Sequence, residues 1–349
     1  MRFSVMIWPY SGASVEPVVR LAQVAEECGY DTVYVGDSQM IWNDVWITLA
    51  ACALATKRVK LGPGVSNLIT RHPAVTANAI NTLNMLSGGR AVLGLGAGDS
   101  AVRTAGLSPT PLAVLRERLP VVRALLDGEE VEAIEWYKPR PDRKAWGAAQ
   151  RMRVIGTEAG GKEIPMHLAC MQPKSAAVAG QFTDGVIVDG HMGGNAEGAR
   201  ATVAAAAEGA QRAGKDAASV RIIAALDSAV DDDRGRALDK VRPTVARNIA
   251  RKPWLPDTLG VEHADVVREV TEAYAFYEHL DLTARHRELI PDQVAQKCAI
   301  AGTPDDCVAK ARELAEAGIT DVAIFGTSQD EEGSRANLER FAREVFPHV

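Results

Sequence analysis

The stretch "RAVLGLGAGDSAVRTAG", Arg90 to Gly106, decides the fold. An apolar run ends in three alternating glycines, Gly94, Gly96 and Gly98, and Asp99 and Ser100 follow at once. A dinucleotide-binding turn is one reading. That turn follows the first strand, opens a helix immediately and has an acid about 20 residues on. Here the spacing is G-x-G-x-G, and three apolar strand-like runs precede it. The next good helical pattern, "PTPLAVLRERLPVVRALLDG", starts only after an intervening loop. The second reading is a barrel, in which glycines at the C-terminal end of a strand bring backbone close to a ligand at the catalytic mouth. A tight turn with no ligand is the third.

Outward from this stretch, short β-branched runs alternate with longer helical patterns. Strands are predicted over 2–8, 32–37, 59–65, 90–96, 165–169, 185–190, 220–226 and 321–326. Most are nearly continuous apolar runs, as strands buried on both faces should be. Between them lie patterns such as "EPVVRLAQVAEECG" and "PDDCVAKARELAEAG". In the second, Thr303 is placed as N-cap, Pro304 at the first helical position and Asp306 in the first turn. "GYDTVYVGD", "TDGVIVDG" and "GITDVAIFG" repeat one βα theme, which both closed barrels and doubly wound sheets use. The position of the glycines at the fourth strand favours the barrel. The expected architecture is an α/β (β/α)8 TIM barrel, one domain over 1–349. Insertions are expected at about 129–164, after strand four, and at about 249–296, between strands seven and eight. The first insertion is basic, with Arg140, Arg143, Lys144, Arg151 and Arg153.

Composition narrows the function. A chain of 349 residues, 47% hydrophobic and 24% charged, has ample length for a large core. Net charge is −6 and no basic block with interleaved aromatics is present, which argues against nucleic acid. No apolar run approaches the roughly 20 residues of a membrane span. "MRFSVMIWPYSG" reads as a first strand, not a signal peptide. The five cysteines form no C-x-x-C pair, so buried thiols in a cytoplasmic protein are expected and a metal site is not.

Five stretches carry a family resemblance: "GYDTVYVGDS" (29–38), "KRVKLGPGVSNLITRHPAVTANAINTLNMLSGGRAVLGLGAGDSA" (57–101), "PMHLACMQPKSAAVAGQFTDGVIVDG" (165–190), the strand at 219–226 and "AGTPDDCVAKARELAEAGITDVAIFG" (301–326). Through them the chain resembles the bacterial luciferase-like superfamily of flavin- and deazaflavin-dependent oxidoreductases. Within it, the chain is most similar to the methylenetetrahydromethanopterin reductase branch, which uses the deazaflavin coenzyme F420. The resemblance implies a non-prolyl cis peptide at Gly64–Val65 against the cofactor ring. It implies Asp37 beside the ring's polar edge and Gly96, Ala97 and Gly98 leaving room for the ring, so a leucine at 98 is expected to block the cofactor with the fold intact. It places Asp99 on the substrate side and Trp42 at the substrate wall. Met171 and Gln172 meet the cofactor tail, and Gly190, His191, Gly193 and Gly194 hold its phosphate. Ser38 departs from the sugar-phosphate dehydrogenases, which have His there, and a hydroxyl is a poor base at neutral pH. Asp37, Ser38, Trp42 and Asp99 form the candidate catalytic set. On the residues alone, Asp37 also reads as a helix or turn cap, Trp42 as a core residue and His191 as a solvent-exposed loop histidine.

The implied activity is hydride transfer between F420 and a small organic substrate. The alternative is an FMN-dependent monooxygenase supplied with reduced FMN by a flavin reductase. A homodimer is expected, because "DVWITLAACALAT" and "PAVTANAINTLNML" are apolar nearly all round.

Overall fold

Eight parallel strands form the frame: β1 (Arg2–Ile7), β2 (Thr32–Val35), β3 (Lys60–Pro63), β4 (Leu93–Gly96), β5 (Met166–Cys170), β6 (Gly185–Asp189), β7 (Arg221–Val230) and β8 (Asp321–Gly326). The computed structural model describes residues 1–9, 13–132, 151–154, 163–250, 259–275, 281, 283–326 and 330–349. Most of the basic insertion, including Arg140, Arg143 and Lys144, lies outside them; Arg151 pairs with Glu130 at 2.9 Å on the surface. Around the sheet the strands run β3-β2-β1-β8-β7-β6-β5-β4. β3 returns to β4 through a parallel bridge, Leu61 to Ala91. The result is the expected (β/α)8 barrel.

Helices cover its outside: α1 (Glu16–Glu27), α2 (Val45–Ala55), α3 (Pro73–Leu86), α4 (Leu112–Leu126), α5 (Pro173–Phe182), α6 (Ala196–Arg212), α7 (Arg234–Ile249), α8 (Pro304–Glu316) and α9 (Glu331–Glu344). Local chemistry sets their starts. Thr303 Oγ1 accepts from Asp306 N, while the Asp306 carboxylate accepts from Thr303 N at 3.0 Å, a reciprocal cap that opens α8 as predicted. Asp44 opens α2 by accepting from Trp46 N and Ile47 N.

The glycines of the opening stretch serve the seam where the barrel closes. A Cβ on Gly62 would lie 1.8 Å from the Val92 carbonyl oxygen, and one on Gly94 would lie 2.1 Å from that of Pro63. The two backbones cross too closely for any side chain. After Pro63 the Gly64–Val65 peptide is cis, and the chain resumes as Ser66–Asn67, which pairs with Leu95–Gly96. The third strand is therefore shorter than the expected 59–65.

Apolar residues fall into three groups. The largest joins the sheet's outer face to the helices. A second, inside the barrel, holds Met6, Tyr34, Val92, Ile187, Ile223, Ala225 and Ala323. A third includes α7 residues such as Leu238, Val241 and Val245 together with Val267, Val270 and Val294 from the chain that follows. A strand that the sequence reading lacks, Ala299–Gly302, ties this third group to the barrel. It pairs with Asp227–Val230 of β7, beyond the end of β6. At the opposite end, Arg221 pairs with Asp321 and, at 3.0 Å, with Asp31, while Ser4 donates to Asp321 at 3.0 Å. Charges buried this way persist because they are mutually compensated.

Gly62→Ala tests the seam. Forcing a methyl against the Val92 carbonyl is expected to cost about 2–4 kcal/mol in denaturant unfolding, the range of severe overpacking. A midpoint equal to that of the parent protein would mean that the two strands can separate freely.

Candidate active site

At the C-terminal ends of the strands lies a cavity of about 470 Å³. The β1 end contributes Trp8, and the β2 end Gly36, Asp37 and, a turn later, Trp42. Gly64, Val65 and Asn67 come from the cis turn, and the run Gly96 to Ala101 from β4 and its loop. Ala169, Met171, Gln172 and Lys174 come from β5 and the start of α5. The site thus occupies the catalytic face of a barrel.

Asp37 is the buried acid. Ser66 Oγ donates to its Oδ2 at 2.6 Å, and Arg71 Nε stands 3.9 Å away. Arg71 is held back by Asp44 at 2.7 Å, so its charge is shared. Burial outweighs these two favourable contacts and raises the Asp37 carboxyl above the ordinary aspartate range. Asp99 differs: it is partly exposed at the rim and accepts from Arg103 Nε at 2.9 Å.

Trp42 Nε1, Asn67 Nδ2 and Thr110 Oγ1 are buried, belong to cavity-lining residues and have no hydrogen-bond partner among the described residues. Asn67 is held rigidly, since its Oδ1 accepts from the amides of Ile69 and Thr70 at 3.0 and 2.9 Å. A buried group left in that state costs about 1–3 kcal/mol. The three together describe a ligand rich in acceptors.

Several expectations change. Ser38 is buried and donates to Ser100 Oγ at 3.0 Å. It braces the β2 loop to the β4 loop and is not among the residues lining the cavity. Gly98 has φ +86°, and a Cβ there would meet Val102 Cγ1 at 2.7 Å and Asn67 Cβ at 3.4 Å. A leucine at 98 would therefore strain the turn itself, so it is not the clean cofactor block expected from the sequence. Gly190, His191, Gly193 and Gly194 are not among the cavity-lining residues. Cβ atoms on Gly190 and Gly194 would run into the Cys298 and Lys297 carbonyl oxygens at 2.0 and 2.5 Å, and one on Gly193 into Val188. These glycines admit the short helix Asp292–Cys298. His191 has Nδ1 on Asp189 and Nε2 at 3.1 Å from the Met171 carbonyl oxygen, so both ring nitrogens are engaged.

Sequence reasoning missed Trp8, Asn67, Thr110, Lys174 and Asn248, all of which line the cavity. Trp8 and Asn67 follow the ends of recognisable strands, so position alone could have found them. Thr110 and Asn248 sit far from any strand end, in a loop and in α7, and carry no local signal.

The family model for luciferase-like monooxygenases matches residues 1–321. The chain belongs to the luciferase-like family. It is 32% identical over 316 residues to the 5,10-methylenetetrahydromethanopterin reductase of Methanolobus tindarius, covering 88% of this chain and 90% of the relative. It is 27% identical to the F420-dependent glucose-6-phosphate dehydrogenase of Amycolatopsis mediterranei, over 95% of this chain and 94% of that one. The solved structure of the coenzyme F420-dependent tetrahydromethanopterin reductase of Methanopyrus kandleri superposes with a TM-score of 0.77, at 23% identity, covering 100% of this chain and 99% of that one.

The buried acid of this luciferase-like protein gives a pH test. Because the native carboxyl of Asp37 holds its proton more tightly than the unfolded one, this group's contribution is most favourable below the ordinary carboxylate range. It falls as pH rises through the raised native value. Asp37→Asn keeps an acceptor for Ser66 and removes the charge. Its melting temperature is expected to match the parent in acid and to exceed it increasingly toward neutral pH. A parent that is the more stable at neutrality would show that Arg71 outweighs burial.

Proposed function

We propose that this protein is an oxidoreductase that transfers a hydride between coenzyme F420 and a small organic substrate. The observation that carries the reading is the set of three unpartnered donors in one cavity, on Trp42, Asn67 and Thr110. A deazaflavin ring offers carbonyl acceptors along one edge, and its side chain offers hydroxyl oxygens, which suit that set. The F420-dependent relatives support the choice of cofactor. Reduced FMN, with a partner reductase, is the second reading; it has a similar carbonyl edge and fits the family's monooxygenase description.

When bound, the deazaflavin supplies two-electron hydride chemistry, and the protein supplies orientation, a dry surround and proton handling. Val65 and Ala169 belong to the apolar group inside the barrel and give the cavity an apolar floor. Asp37 Oδ2 is committed to Ser66, which leaves Oδ1 as the atom that holds or takes a proton. Burial raises its affinity for that proton, which suits a group that holds or passes a proton at this atom. Asp99, which lines the cavity and is held by Arg103 at the rim, is assigned to the substrate side. Met171 and Gln172 bound the same cavity before α5 and are assigned to the cofactor tail. The loop at Gly190, His191, Gly193 and Gly194 is assigned a supporting part behind Met171, through the His191 contact to its carbonyl.

The chain is further proposed to pair as a homodimer across α2 and α3. Ile47, Leu54, Val75 and Met85 are all more than half exposed on these two helices, an apolar surface that association would cover. Leu54→Glu is expected to convert a dimer to a monomer in sedimentation at micromolar concentration. A parent protein that sediments as a monomer would refute the pairing.

Cofactor choice is tested by fluorescence titration with F420 and with FMN, each reduced and oxidised. F420 is expected to bind. Ala169→Trp, which fills the floor, is expected to lower that affinity by about 100-fold or more, equivalent to about 2.7 kcal/mol, while circular dichroism stays that of the parent. Tight binding of FMN alone would favour the monooxygenase reading.

A further inference from the structure

One wall of the cavity comes from α7 and not from a barrel strand. Two adjacent residues near its C-terminal end, Arg247 and Asn248, reach the site in different ways. Arg247 is buried, and its guanidinium carbon sits 3.9 Å from the centroid of the Trp8 ring. Trp8 also packs on Phe325 at 4.6 Å and Trp42 at 5.9 Å between ring centroids. A cation on one face and aromatic rings beside it fix the indole in place, and Trp8 lines the cavity. Burial pulls the Arg247 guanidinium down to about 10, and nearby Asp227 opposes that, so the group is charged at neutral pH.

Asn248 lines the cavity directly. Its Nδ2 donates to Asp227 Oδ2 at 3.2 Å. The Asp227 oxygen accepts that bond, so the amide nitrogen faces Asp227 and the carbonyl Oδ1 faces elsewhere. That oxygen takes no hydrogen bond among the described residues. Asn248 therefore offers a fixed acceptor beside a fixed aromatic wall.

The charges around the cavity select further. Two carboxylates, Asp37 and Asp99, line it. Among its described lining residues the single basic side chain is Lys174, which is exposed at the mouth. Arg247 lies against the Trp8 ring and is not among them.

We propose that Asn248 and the Trp8 wall positioned by Arg247 determine substrate specificity. The substrate class they select is an uncharged organic molecule with a flat apolar body and an O–H or N–H donor directed to Asn248 Oδ1. This rests on the F420 oxidoreductase reading and adds the substrate class to it. Anionic substrates such as sugar phosphates are disfavoured, because among the described residues no buried cation lines the cavity.

The test uses F420-loaded protein and three probes on one skeleton: 2-naphthol, its methyl ether and 2-naphthyl phosphate, each titrated by calorimetry. 2-Naphthol is expected to bind about tenfold more tightly than the ether, the worth of one good hydrogen bond, and the phosphate more weakly than both. Asn248→Ala is expected to abolish the preference for naphthol over the ether while leaving the ether's affinity unchanged. Arg247→Lys keeps the charge but lacks the planar stack, and is expected to weaken both neutral probes by a similar factor with F420 affinity preserved. Equal binding of naphthol and ether, a preference that survives in Asn248→Ala, tightest binding of the phosphate, or no binding of either neutral probe would each overturn the proposal. Failure of the parent protein to bind F420 would instead refute the underlying cofactor reading, and is seen before any probe is added.

Discussion

Two backbones that approach too closely for any side chain hold this structure's functional end in place. At the seam between β3 and β4, Gly62 faces the Val92 carbonyl and Gly94 that of Pro63. The contact closes the barrel, and it fixes where the chain turns at Gly64–Val65. From that turn Ser66 reaches Asp37, Asn67 orders the loop through Thr70, and Val65 packs where a Gly96 side chain would be. The hydrogen bond to the acid, the Asn67 donor and the apolar floor all follow from one steric condition that only glycine satisfies.

The barrel has two polar ends separated by an apolar layer. At the base, Arg221 balances Asp31 and Asp321. Above it, Tyr34 hydrogen-bonds to His167 Nδ1 at 2.8 Å, and burial holds that imidazole neutral, with its pKa lowered to about 3. The layer of Met6, Ile187, Ile223 and their neighbours lies between these groups and the mouth. The base charges compensate one another, although Arg221 Nε and His167 Nε2 there also lack a hydrogen-bond partner among the described residues; the unpartnered donors at the mouth differ in belonging to residues that line a cavity. That contrast distinguishes a polar group that holds a fold from one that awaits a ligand.

The frame was legible in the sequence because its signals are local and periodic. Eight apolar runs and the Thr303 cap each state their structure within a few residues, whereas the cis turn at Gly64–Val65 was reached through the family resemblance. Ala299–Gly302 was not legible, since "AIAG" becomes a strand only because β7 outlasts β6 and leaves an edge to be paired. The glycines misled for a related reason. A glycine reports that something comes close, without saying whether it is a ligand or another backbone. At Gly190 and Gly194 the neighbours are the carbonyl oxygens of Cys298 and Lys297, whereas Gly96 and Gly98 do line the cavity. Ser38 stands in the candidate catalytic set on sequence, although its partner, Ser100, lies on a loop that the sequence does not visibly connect to it. Asn248 reaches the cavity through the packing of α7, and no pattern in its own neighbourhood shows that.

The mouth segment has an apolar nucleus of its own, built from residues such as Leu238, Val241, Val267 and Val294. The barrel's interior layer contains none of them. The two can therefore diverge on separate schedules. Among the described residues the segment meets the cavity through Asn248, so a change in it reaches that wall of the site and not the seam or the base. Such a division of labour makes the segment a unit of inheritance and of engineering: grafting a different one onto this frame would change the molecules admitted while the oxidoreductive apparatus stayed as it is.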